Sequence, residues 1–287
     1  HQFGRNDEVI ITDKEHNSNL IPWLKRGVKL KVVQSNDDNT FNMDAFEELL
    51  SKNTKLVSIN HISNLDGVEN PIEEITKRAH EVGAKVLIDG AQGIPSTGID
   101  VKKTGCDFLS FSGHKMLGPT GTGLLYGKAA ALEELDQFLV GGETVQDSTY
   151  ESYVPEEIPE KFEAGLQDYA NIIGFGEAAR YLMGKGYSAI RKHEIRLNKQ
   201  LTDGLRSING LSIIGPQDSA LRNGILSFTL KDADAHHIAG ILNSSKIYVR
   251  SGAHCVHSWF NKHELPGSVR ASMYLYNTPD RKSTRLN

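Results

Sequence analysis

Apolar runs too short for helices alternate with amphipathic stretches through the first half of the chain. E-V-I-I-T leads into a helical pattern over residues 20–26, K-L-K-V-V into one over 44–50, and K-L-V-S-I-N into one over 72–82, after which A-K-V-L-I-D follows. Strand and helix alternating at this pitch predict βαβ units and a mostly parallel sheet, an α/β core. D-F-L-S-F and G-T-G-L-L-Y add two strands, separated by the Gly- and Pro-containing turn S-G-H-K-M-L-G-P-T, and carry the sheet to about Tyr126. Residues 141–163 are polar, hold Gly and Pro and show no sustained periodicity, which predicts a long loop. Beyond it the pattern gives helices over 168–183 and 187–208, strands at 211–214 and 225–230, a helix after Asp234 and a short strand at 247–249. This succession reads as a smaller α+β domain.

Length and composition bound the function. The chain has 287 residues, 38% hydrophobic and 24% charged, with a formal net charge of -4, so it has no basic footprint for nucleic acid, and a small molecule is the expected partner. Its two cysteines, Cys106 and Cys255, are too few for a disulfide framework, and no apolar run reaches the roughly 20 residues of a membrane span. The cytoplasm is the expected location. Both ends read as unusual: the chain begins at His1 with a strand pattern almost at once, as if an N-terminal part were missing. The final D-R-K-S-T-R-L-N matches one reading frame of a sequencing adapter. The expected layout is a large domain over residues 1–178, an incomplete small domain over 179–279 and a non-native tail over 280–287.

Two strand ends carry the chemistry. V-L-I-D-G-A-Q places Asp89 at the carboxyl end of a buried strand, with Gln92 in the turn after it, and ligands of open α/β sheets bind at such ends. An isolated aspartate there is most simply a turn or helix cap. The next strand, F-L-S-F-S-G-H-K, ends in Ser112, Gly113, His114 and Lys115. A lysine beside a strand-end aspartate is a candidate Schiff-base lysine, with the carboxylate holding the proton on a pyridine nitrogen, which is the chemistry of pyridoxal 5'-phosphate (PLP). Ser112 and His114 offer donors to a phosphate.

These segments, with G-P-T-G-T-G-L-L-Y, resemble the class V aminotransferase superfamily, PLP fold type I, and its SufS-like cysteine desulfurases in particular. E-H-N-S-N at 15–19, I-S-N-L-D-G at 62–67, F-E-A-G at 162–165, V-R-S-G-A-H-C at 249–255 and V-R-A-S-M-Y-L-Y-N-T at 269–278 agree in order. The resemblance spans nearly the whole chain. It implies that Lys115 carries the cofactor, His16 stacks on its ring, Asp89 pairs with the ring nitrogen, and Gln92 and Asn64 lie near the ring hydroxyl. It further implies that Ser112 and His114 bind the phosphate, that Arg270 and Asn64 hold the substrate carboxylate with Arg250 close by, and that Cys255 takes sulfur from L-cysteine as a persulfide. Alanine is then the product, a sulfur-acceptor protein of iron-sulfur cluster assembly the partner, and a homodimer the assembly.

The segment around Cys255 is polar and holds Gly252, which suits an exposed thiol, whereas Cys106 in T-G-C-D-F reads as structural. Positive charge from Arg250 or His254 is expected to favour the Cys255 thiolate. A zinc site at His254, Cys255, His257 and His263 lacks paired-ligand spacing, so no metal is expected. The chain departs from its relatives in having Ala253 and His254 where many have two histidines, and in having Leu166, Gln167 and Asp168 where a phosphate-binding Thr-Pro-Asn is common. The family's Gly/Thr-rich phosphate loop would precede Glu8. Two other readings stay open: a selenocysteine lyase or cysteine sulfinate desulfinase on the same scaffold, and a catalytically silent sulfur-relay partner.

Overall fold

A computed structural model describes residues 3–279, so the tail expected to be non-native lies outside the described residues. The first half builds a six-stranded sheet from β1 (Glu8–Thr12), β2 (Lys29–Val33), β3 (Thr54–Asn60), β4 (Lys85–Asp89), β5 (Phe108–Ser112) and β6 (Gly123–Gly127), in the order β2-β1-β3-β4-β5-β6. The first five run parallel and β6 is antiparallel to β5. Between them lie the helices α1 (Asn17–Arg26), α2 (Met43–Leu49), α3 (Ile72–Glu81), α4 (Gly93–Ser96) and α5 (Val101–Thr104). Strand β1 reads E-V-I-I-T and is buried throughout, as a parallel strand covered on both faces must be. Ile10 packs with Phe46, Val57, Ile75, Ile88, Leu182 and Ile190 on one face. Val9 and Ile11 pack on the other face with Leu56 and with Leu20 and Trp23 of α1. Sequence order reverses between β2-β1 and β1-β3, so the carboxyl ends of β1 and β3 flank the crevice in which doubly wound sheets bind ligands.

The chain continues through α6 (Ala129–Glu133), β7 (Val145–Ser148), β8 (Tyr153–Pro155), α7 (Tyr169–Lys185) and α8 (Tyr187–Leu205). A second, antiparallel sheet then forms from β9 (Leu211–Ile214), β10 (Ile225–Leu230), β11 (Arg250–Gly252) and β12 (Ser268–Ser272), with α9 (Ala235–Ser244) and α10 (His257–Lys262) beside it. Leu226, Phe228 and Val269 bury one face of this sheet against Leu201 and Leu205 of α8 and Ile238 and Leu242 of α9. No helix among the described residues is long and apolar enough to cross a membrane.

Two sequence expectations are corrected. The loop expected over 141–163 contains the hairpin β7-β8, closed by Thr149 N donating to Ser152 O at 2.8 Å. Its residues are mostly exposed, so no burial imposes the alternation by which a strand is recognised. The strand expected at 247–249 begins instead at Arg250, because Ile247 N is taken up at the end of α9, donating to Leu242 O at 2.9 Å.

The two sheets meet at the turn after β3. Gly67 O accepts from Asn223 N at 3.0 Å and Asn223 Nδ2 at 3.1 Å, and Leu65 O accepts from Ser227 Oγ. Gly67 has φ +76, and a β-carbon there would stand 3.0 Å from Ile225 O and 3.2 Å from Asn223 N. The position therefore needs glycine for its backbone conformation and for the closeness of the second sheet. Gly67→Ala is expected to cost about 1–3 kcal/mol, read by chemical denaturation as a lower midpoint with an unchanged slope.

Candidate active site

Parallel register assembles the site from four strand ends. Asp89, last residue of β4, pairs with Ser110 of β5, so the turn that follows β5 lies beside it. Asn60 of β3 lies opposite Asp89 on the other side. His16 follows β1 and Asn64 follows β3. A cavity of about 520 Å3 at these ends is lined by His16, Asn64, Asp89, Gln92, Ser112, His114, Lys115, Arg250, Cys255 and Arg270. Every site residue expected from the sequence faces this one space.

Local structure fixes each group. Asp89 accepts from Ala91 N at 2.9 Å, so the cap expected of a strand-end aspartate is present and the same carboxylate also faces the cavity. Lys115 lies on a short 3-10 turn, Gly113–Met116, whose Met116 is buried. A β-carbon on Gly113 would stand 2.2 Å from Thr122 Oγ1, so glycine lets this turn press against the Pro119–Thr122 turn, where Gly113 N donates to Thr122 O at 2.9 Å. Burial holds the Lys115 ammonium below the usual lysine range; Asp89 opposes the shift and Arg270 adds to it. Burial, and then the charge of Lys115, likewise lower His16. His16 Nδ1 accepts from Ser18 N at 3.1 Å, which leaves the proton of the neutral ring on Nε2.

The second sheet supplies two arginines. Arg250 of β11 and Arg270 of β12 are direct cross-strand partners. Burial and then the charge of Arg250 hold Arg270 down to about 10. Arg270 donates to Asn64 O at 2.8 Å, and its buried Nε has no partner among the described residues. Like charges opposite one another repel, and a carboxylate between them would remove that repulsion and use the open donor.

Cys255 is exposed, whereas Cys106 is fully buried and its thiol is pushed up by that burial. His254 and Cys255 both take left-handed backbone, with φ 49 and 62. Two hydrogen bonds hold them: Asn64 Nδ2 to His254 O and Asn17 N to Cys255 O, each 2.7 Å. The expectation that His254 lends positive charge to Cys255 is corrected. Its buried ring is pushed down to about 4, with the arginines adding to the effect, and Nε2 lies 2.9 Å from Ser268 Oγ. In the segment expected to depart from Thr-Pro-Asn, Gln167 donates to Gly165 O at 3.1 Å in its own loop, and Asp168 caps α7 through Asn171 N.

The sequence pattern assigns no role to Glu15, Asn17, Asn60 or Ser268. The first two lie within E-H-N-S-N, and that run was the available signal. Ser268 carries none, because it meets His254 only through the pairing of β11 with β12.

A family model described as aminotransferase class-V matches residues 1–281. A cysteine desulfurase of Haloferax volcanii is 39% identical over 96% of this chain and 66% of its own length. A probable cysteine desulfurase of Halalkalibacterium halodurans is 41% identical over 97% and 69%. The chain thus spans about two thirds of the length of these curated relatives. An apo cysteine desulfurase from Thermococcus onnurineus superposes with a TM-score of 0.94 at 35% identity, covering 98% of this chain and 71% of that one. An Escherichia coli cysteine desulfurase in an S-sulfonic acid form gives 0.91 at 30%, over 96% and 69%.

A histidine kept neutral by burial binds no proton until the pH falls well below its ordinary value. The unfolded chain takes up that proton near pH 6.5, so His254 contributes stability above this pH and loses it as the pH falls toward 4. Its ring NMR signals are expected to stay constant from pH 8 to about pH 5.5 and to move only nearer 4.

Proposed function

The chain belongs to the class-V aminotransferase family, and within it we propose that it is a PLP-dependent cysteine desulfurase, converting L-cysteine to L-alanine and keeping the sulfur on Cys255. The observation that carries this reading is that an exposed thiol, a buried lysine beside a strand-end carboxylate, and a pair of facing arginines line one cavity.

The residues present fit the cofactor. Among the described residues the side chains of Gln92, Ser112, His114 and Lys115 make no hydrogen bond, although each lines the cavity, so their donors are available to a ligand. Lys115 would hold PLP covalently, His16 would cover its ring, Asp89 would face the ring nitrogen, and Gln92 and Asn64 would reach the ring hydroxyl. Ser112 and His114 would take the phosphate. When bound, PLP supplies a carbonyl carbon that captures the substrate amine and a ring that draws electrons from Cα.

Arg270, with Arg250 and Asn64, binds the substrate carboxylate. Lys115, with its proton loosened by burial, takes the proton from Cα and returns it. The Cys255 thiolate attacks the sulfur of the substrate. A sulfur–sulfur bond forms as the Cβ–S bond of cysteine breaks, the bonding pair stays with Cβ and is protonated there, and alanine leaves. Exposure of Cys255 supports onward transfer of its sulfur to an acceptor protein of iron-sulfur cluster assembly. Exposed Leu166, just before α7, and exposed Tyr169 and Ile173 at its start support a homodimer. Two free cysteines support a cytoplasmic setting.

With the PLP-loaded protein, Cys255→Ala is expected to lower alanine formation from cysteine by more than 100-fold and leave the bound cofactor's absorbance unchanged. Release of sulfide from cysteine at the full rate by this variant would remove the persulfide step and favour a selenocysteine or cysteine sulfinate lyase. Arg270→Lys is expected to raise KM for cysteine about 10-fold, since a point charge replaces a two-pronged donor, as measured by initial rates over a range of cysteine concentrations.

A further inference from the structure

Beneath the cavity lies a carboxylate to which the reaction assigns no task. Glu15 is buried, in the turn between β1 and α1, and both of its oxygens are occupied. Oε1 accepts from Thr12 Oγ1 at 2.7 Å and from Asn60 N at 3.0 Å, at the ends of β1 and β3. Oε2 accepts from Asn19 Nδ2, in the first turn of α1, at 2.7 Å. Asn19 in turn accepts from Ser58 Oγ of β3 at 2.6 Å. One side chain therefore ties together two strand ends and the first turn of a helix.

That first turn carries two active-site contacts. His16 is its N-cap and lines the cavity, and Asn17 N holds the carbonyl of Cys255. Asn19 N also donates to His16 O at 2.7 Å, so rotation of α1 would move all three residues together.

We propose that Glu15 is a positioning residue for the reaction: by fixing the start of α1 against the ends of β1 and β3, it sets where His16 meets the cofactor and where Cys255 meets the substrate. The inference rests on the desulfurase reading and deepens it. Every protein group bonded to the carboxylate is a donor, which favours the ionised form, whereas burial and then the nearby charge of Asp89 push its pKa up to about 7. A neutral amide of the same shape can preserve the tie, with Oε1 still accepting from Thr12 and Asn60 and the Asn19 amide turned over. Alanine would remove the acceptor from four buried hydrogen bonds, those donated by Thr12 N, Thr12 Oγ1, Asn60 N and Asn19 Nδ2.

The arginines that hold the substrate lie on β11 and β12, and the hydrogen bonds of Glu15 go to Thr12, Asn60 and Asn19 instead. Loss of the tie should therefore weaken cofactor binding and turnover while sparing the affinity for cysteine. The test compares Glu15→Gln, Glu15→Asp and Glu15→Ala for PLP affinity by absorbance titration and for kcat and KM with cysteine. Circular dichroism of each variant confirms folding.

Glu15→Ala is expected to weaken PLP binding and lower kcat by 10-fold or more, with KM within threefold of the original. Glu15→Gln is expected to stay within threefold for all three quantities. If the alanine variant does not fold, the aspartate variant, too short to reach both sides, should show the same pattern. Wild-type PLP affinity and kcat in the alanine or aspartate variant would overturn the proposal, as would a glutamine variant no better than alanine. An original protein that binds PLP but forms no alanine from cysteine would instead overturn the desulfurase reading on which it rests.

Discussion

The site depends first on the burial of a lysine beside a carboxylate. Parallel pairing of β4 with β5 brings Asp89 and the Lys115 turn to adjacent strand ends. A charged amine withdrawn from water is costly, and here it has only partial compensation, so its proton is held loosely. Weak proton affinity is what a lysine needs to act as a nucleophile and base near neutral pH. The tight turn at Gly113 keeps the amine there, and neighbouring Ser112 and His114 keep donors available at the same strand end.

The second constraint is the junction between the sheets. Gly67 and Leu65 accept hydrogen bonds from the second sheet, while Asn64, in the same turn, grips both Arg270 and the His254 carbonyl. The turn after β3 thus sets the distance between the part of the site that would hold the cofactor and the part that would hold substrate and thiol. Left-handed backbone at His254 and Cys255 is retained because Asn64 and Asn17 bond the carbonyls of both residues. The His254 ring, neutral and turned to Ser268, lends Cys255 no positive charge.

The fold was legible wherever burial imposes a period. The apolar runs of β1, β3, β4 and β10 are read in place, and Asp234 marks the start of α9 because it caps it, accepting from His236 N and His237 N. The hairpin after α6 was not legible, since exposed residues leave no pattern, and β11 was displaced because a run of strand-like side chains does not reveal that Ile247 N is needed to close α9. At the site, Asp89 and Lys115 can be paired from the sequence alone through the spacing of consecutive strands. Cys255, Arg250 and Arg270 cannot. They reach the cavity only by the docking of a second sheet, and they were assigned through resemblance. Glu15 stands in the run E-H-N-S-N, but its contacts lie below the cavity, where sequence spacing says nothing.

The central claim is that sulfur passes from substrate to Cys255 within this cavity, and mass spectrometry of peptides after a single turnover tests it most directly. PLP-loaded protein mixed with one equivalent of cysteine, then trapped by alkylation, should carry one extra sulfur atom on the peptide containing Cys255 and none on that containing Cys106. Stoichiometric alanine with both cysteines unmodified would contradict the account.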